Sequence, residues 1–120
     1  MGKYSEEQFV ALITDTFPSL ADEILDEDYK GLITLQVGCF TRFTQDAIDE
    51  NDVKLVTKCF DFVDNIFERV NDRVENSLVI TYLGKLKIAK GSTIERLLSK
   101  KLKDHYLMIQ EYHKKLSEGL

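Results

Sequence analysis

The sequence predicts an all-α protein of about six helices in antiparallel hairpins, packed as a compact bundle or a short HEAT-like α-solenoid. Three observations predict it. Helix breakers are scarce, with 6 Gly and 1 Pro in 120 residues, while the helix-compatible Leu, Lys, Glu and Asp are abundant. Apolar residues recur at spacings of three and four along most of the chain. Short polar turns separate these stretches, and short turns fold neighbouring helices back on one another. The length is that of a single domain, 1–120. Hydrophobic residues make up 43% and charged residues 31%, a balance that buries a core and argues against disorder.

The first helix opens at Ser5, because Ser5-Glu6-Glu7-Gln8 is a capping box. Phe9, Leu12, Ile13 and Phe17 form its apolar stripe. Pro18 ends it and suits the first turn of a short second helix carrying Leu20, Ile24 and Leu25. Gly31 punctuates. Residues 32–37 alternate like a strand, but a third helix over 32–49 is predicted. Leu32, Leu35, Cys39, Phe43 and Ala47 keep a helical stripe, and no partner strand is evident. Asp52 is placed to cap the fourth helix after the polar turn Asp49-Glu50-Asn51. That helix is apolar over most of its circumference, with Val53, Val56, Cys59, Phe60, Val63 and Phe67, and is expected to be the central, most buried one. Asn71-Asp72 breaks the chain and recaps it. The fifth helix carries Val74, Leu78, Val79, Tyr82 and Leu83 and is expected to end in a left-handed cap at Gly84. Asn76 falls inside or at the border of its apolar face. After the basic connection 85–91, Ser92-Thr93-Ile94-Glu95 forms a second capping box. The last helix, with a kink expected near Ser99, presents Ile94, Leu97, Leu98, Leu102, Tyr106, Ile109, Tyr112 and Leu116, and residues 117–120 are expected to fray. No repeat of fixed period stands out to support a solenoid.

Chemistry-bearing motifs are missing. There is no phosphate-binding glycine loop, no HExxH and no paired CxxC. His105 and His113 are two helical turns apart, whereas ligands on one helix need a spacing of three or four. Neither a metal nor a cofactor is expected, and the protein is not expected to be an enzyme. Cys39 and Cys59 sit in apolar helical patterns and read as buried free thiols. No run approaches the ~18 apolar residues of a membrane span. The first residues turn acidic at Glu6-Glu7, unlike a secretory leader, and Glu6 stands where the myristoylation pattern wants Ser or Thr. The cytoplasm is the expected compartment.

Charge is unevenly spread. Residues 1–84 carry 7 basic and 17 acidic side chains, net −10, and residues 85–120 carry 9 basic and 4 acidic, net +5. An acidic body repels nucleic acid and attracts cationic partners. The basic segment Lys85, Lys87, Lys90, Arg96, Lys100, Lys101 and Lys103 lacks interleaved aromatics, so nucleic-acid binding is not expected there. Two acidic patches are candidate partner-binding surfaces, of which the first is preferred and the second is the alternative. Asp61, Asp64, Glu68 and Asp72 recur at i, i+3, i+7 and i+11 on or just beyond the fourth helix, with Asp46, Asp49 and Glu50 nearby and only Lys58 and Arg69 to compensate. Asp22, Glu23, Asp26, Glu27 and Asp28 form the second. Like charges at these spacings cost a few tenths of a kcal/mol each, a cost that fits a useful field.

Two stretches, Leu35-Gln-Val-Gly-Cys-Phe-Thr-Arg42 within 31–49 and Asn76-Ser-Leu-Val-Ile-Thr-Tyr-Leu83 within 74–83, resemble a family of small, uncharacterised, all-helical bacterial proteins. That family shares a Leu-Gln-x-Gly-x-Phe-x-Arg core and an Asn-x-Leu-x-x-x-Tyr-Leu core. The resemblance implies a helical fold and supports helix over strand for residues 32–37. In size, acidity and lack of chemistry the chain is also similar to immunity proteins of contact-dependent growth inhibition systems. That similarity implies a protein that neutralises a cognate toxin, often a basic nuclease, by covering its active site. The competing expectation is a HEAT-like intracellular scaffold or adaptor with another protein partner.

Overall fold

The computed structural model describes residues 2–118. Ser5 caps α1 (Glu6–Thr16): its Oγ accepts from the Gln8 amide at 3.2 Å, while Gln8 Oε1 accepts from the Ser5 amide at 2.9 Å. Pro18 then opens a 3-10 turn (Pro18–Leu20) that runs into the one-turn helix α2 (Ala21–Ile24). Gly31, at φ +79°, turns the chain into α3 (Ile33–Asp49). The strand-like pattern of residues 32–37 is therefore helical from Ile33 onward, with Leu32 as the N-cap residue. Asn51 adopts φ 56°, and Asp52 caps α4 (Val53–Ile66) by accepting from the Leu55 amide at 3.2 Å.

Asn71 caps α5 (Asp72–Ser77), accepting from the Val74 amide at 3.0 Å. The helix continues without a break as a π-helix (Leu78–Leu83). Gly84 lies in right-handed helical space at φ −70°, so the expected left-handed cap is not formed. A Cβ on Gly84 would stand 3.0 Å from His113 Cε1 and 3.3 Å from Ile109 Cγ1. The glycine serves close approach to the last helix rather than a reversal of hand.

That last helix is two. Ser92 caps the single turn α6 (Thr93–Arg96), and Glu95 reaches back to the amide of Gly91 instead of Ser92. Ser99 then restarts the chain as α7 (Lys100–Glu118), its Oγ accepting from the Leu102 amide at 3.1 Å. The kink expected at Ser99 is thus a full break, and about six helices become seven among the described residues. Helix α7 continues through Ser117 and Glu118, where fraying was expected; Gly119 and Leu120 lie outside the described residues.

The helices enclose one core, with Phe9, Ile24, Val37, Phe40, Val56, Phe60, Tyr82 and Leu102 at its centre. Tyr82 stacks on Phe40 at a centroid distance of 4.8 Å, and its hydroxyl lies 3.0 Å from Thr44 Oγ1. Since Thr44 donates to the Phe40 carbonyl, Tyr82 donates to Thr44. Helix α4 shares this core without centring it: Lys54, Lys58, Asp61 and Asn65 leave one of its sides in solvent. The more central elements are α3, which packs on α2, α4 and α5, and the π-helix, which packs on α3 and α7. Extents of 35 × 33 × 31 Å are nearly equal. Of the two expected architectures, the molecule is the compact bundle; the solenoid geometry is not formed.

Candidate functional site

The two acidic patches differ in how their charge is used. On α4, Asp64 is tied down by α7: its Oδ1 accepts from Ser99 Oγ at 2.7 Å, and its backbone carbonyl accepts from Lys101 Nζ at 3.1 Å. Lys101 also pairs with the carboxylates of Asp64 at 3.7 Å and Glu68 at 3.6 Å, and lies over the Phe67 ring. Compensation therefore comes from the basic tail rather than from Lys58 or Arg69, neither of which is ion-paired among the described residues. Lys58 itself turns away, donating to the Thr16 carbonyl and covering Phe17. Helix α4 ends at Ile66, and Asp72 opens α5. Asp72 is thus off the stripe, in a first turn where a carboxylate favours the helix dipole. Only Asp61 remains exposed and unpaired on the α4 surface among the described residues.

The second patch keeps its field. Asp22, Asp26, Glu27 and Asp28 are all exposed, and none is ion-paired among the described residues. Glu23 is the exception: Arg42 holds it at 3.0 Å. A hydrogen bond from Cys39, helped by Arg42, keeps its carboxyl below the usual range. Burial, reinforced by Glu23, pushes the Cys39 thiol up to about 11; burial does the same to Cys59. Both cysteines are buried and free, as expected.

The same end of the molecule carries a cleft of about 540 Å³ between α1 and the α2–α3 connection. Val10, Ala11 and Thr14 line it from α1, Leu25, Lys30 and Gly31 from the connection, and Gln36 from α3, with Glu6 and Glu7 at its edge. Leu25 is 50% exposed although it was expected to pack. Leu32 and Leu35, next in sequence to the lining residues Gly31 and Gln36, are 51% and 46% exposed. The expected stripe of α3 is out of phase with the true one. Ile33, Gln36, Val37, Phe40 and Thr44 face inward instead, and Cys39 and Ala47 are buried beside them.

Gln36 is 5% exposed and donates from Nε2 to the Ile24 carbonyl at 3.1 Å. With the Arg42–Glu23 pair, it fastens α2 to α3. Sequence reasoning missed this cleft. The available signal was a surplus of apolar residues, Leu32, Ile33, Leu35, Val37, Cys39 and Phe40, more than a single helical face at 32–40 can bury.

His105 packs on the Phe67 ring, and His113 lies against Gly84. No group of three or more His, Cys, Asp or Glu side chains suited to a metal ion occurs among the described residues. Asn76 is exposed, so the buried alternative for it is not realised, whereas Leu78, Tyr82 and Leu83 of the same motif are buried. No described helix is long and apolar enough to cross a membrane. No curated protein and no solved structure matches the chain. Residues 10–114 match the family described as Domain of unknown function (DUF7674), so both motif stretches and the helices between them lie inside the match, and the chain belongs to that family.

Proposed function

We propose that the protein is an immunity protein that binds a basic toxin domain, through the face formed by α1, α2 and the start of α3, and blocks it by covering its active site. The observation that carries this reading is the pairing of two features on one face. Half-exposed Leu25 lines an open cleft, and half-exposed Leu32 and Leu35 adjoin its lining residues Gly31 and Gln36 in sequence. The unpaired acids Asp22, Asp26, Glu27 and Asp28 stand beside them. Partner surfaces combine an apolar centre with a polar rim, and charge of one sign speeds encounter with its complement. The α4 patch, preferred from the sequence, ranks second here because Lys101 neutralises part of it. Inhibition is steric, the protein itself performs no catalysis, and the site of action is the cytoplasm of the producing cell.

The test is to express the tagged protein in its native host, with its neighbouring gene, and recover what stays bound at moderate salt. The expected result is a stoichiometric basic domain whose nuclease activity the protein abolishes. The variant D22N/D26N/E27Q/D28N should then associate at least tenfold more slowly, with a flatter salt dependence. Recovery of the protein alone, or unchanged association kinetics in that variant, overturns the reading.

A further inference from the structure

The cleft between α1 and the α2–α3 connection has a chemistry narrower than a generic apolar hollow. Its volume of about 540 Å³ lies within the range of sites that take a bound group. Val10, Ala11 and Leu25 supply apolar wall. Among its lining is a residue more than nine-tenths buried, Gln36. The amide nitrogen of Gln36 is committed to the Ile24 carbonyl. Its Oε1 takes no hydrogen bond from any described residue and keeps some accessible surface, and the cleft is a cavity that Gln36 lines. This acceptor is held in place from behind and lacks a donor. A wholly apolar occupant would bury it unsatisfied, which is unfavourable.

The rim selects further. Glu7 is exposed and unpaired, and Asp26, Glu27 and Asp28 follow directly on Leu25. Glu6 is already matched by Arg73 at 3.1 Å, and Lys30 is the one cation among the lining residues. The balance is negative. The complementary occupant therefore has a large apolar body, an N–H donor within that body, and positive charge flanking it.

Among side chains, tryptophan alone joins a large apolar surface to a donor-only N–H, and it is enriched among the residues that dominate binding energies. Resting on the partner-binding reading above, we infer that the cleft takes a tryptophan of the partner, carried on a segment rich in Lys or Arg, with its indole N–H donating to Gln36 Oε1.

The test uses the full chain and four synthetic peptides: Lys-Lys-Trp-Lys-Lys, the same peptide with Phe or Ala at the centre, and Glu-Glu-Trp-Glu-Glu. Binding is followed by amide chemical shifts, with the Gln36 side-chain amide and the Ala11 backbone as reporters. The expected result is saturable binding of the basic Trp peptide, with shifts at both reporters. The Phe peptide should bind about tenfold more weakly, and the Ala and acidic peptides should not reach the cleft. Ala11→Phe, at an exposed position, should fill the cleft and remove binding. Gln36→Leu, checked for folding by circular dichroism, should abolish the preference for Trp over Phe.

Equal affinity of the Trp and Phe peptides, or shifts confined to residues outside the cleft, overturns the inference. Lys-rich peptides that bind regardless of their central residue, at Asp26–Asp28, would overturn the anchor while leaving the acidic docking face intact. No binding of any basic peptide at low salt would overturn both.

Discussion

At the residue scale, the buried thiols make a prediction with a definite sign. Cys39 and Cys59 are raised from 9.0 to about 11 by burial. The folded state therefore holds these protons more tightly than the unfolded chain does. Their contribution to stability is fully present below pH 9 and is lost as pH rises towards 11. Denaturant midpoints measured across that window should fall, and should fall less in the double variant C39A/C59A. The same burial predicts that iodoacetamide labels neither thiol at pH 8 in native protein and labels both in guanidinium. Labelling of either thiol without unfolding would contradict the structure.

At the element scale, Gly84 couples the π-helix to α7. Replacing it with Ala gains about 1 kcal/mol of helix propensity but overpacks His113 and Ile109, at about 1–3 kcal/mol. The expected net effect of Gly84→Ala is a loss of about 1 kcal/mol, read as a lowered denaturation midpoint together with faster hydrogen exchange in α7. A gain in stability would mean that the His113 ring swings aside at no cost.

The helix starts were legible because capping is local: Ser5, Asp52, Asn71 and Ser92 all carry their signals within four residues. The phase of α3 was not legible. Residues 32–40 offer apolar side chains in more than one helical register, and periodicity alone cannot choose between them. Gln36 and Thr44 face inward only because their hydrogen-bond partners come from elsewhere, Gln36 from Ile24 and Thr44 in part from Tyr82. The break at Ser99 was half legible as a kink; what completes it is Asp64, 35 positions away. Both acidic patches could be read from composition, but their ranking required Lys101, which reaches α4 only in the folded chain.

At the scale of the whole molecule, the excess negative charge of residues 1–84 and the excess positive charge of residues 85–120 meet along α4 and α7. Unpaired acids survive among the described residues at the α2–α3 end, in Asp22, Asp26, Glu27 and Asp28, and at the α3–α4 turn, in Asp46, Asp49, Glu50 and Asp52. Long-range side-chain contacts hold the basic segment to the body. One of them is a two-point clasp, in which Gln45 Oε1 accepts from the Lys87 amide at 2.8 Å and Gln45 Nε2 donates to the Lys87 carbonyl at 3.2 Å, across 42 positions. Such a clasp has consequences in time as well as in space. It closes a long loop whose ends meet only after α3, α4 and α5 have assembled, so it is absent from an early folding nucleus. Gln45→Ala should therefore leave the refolding rate almost unchanged and speed unfolding severalfold in stopped-flow chevrons. The residence time of the native state, and with it survival against proteases that capture brief openings, would rest in part on one glutamine far from the cleft.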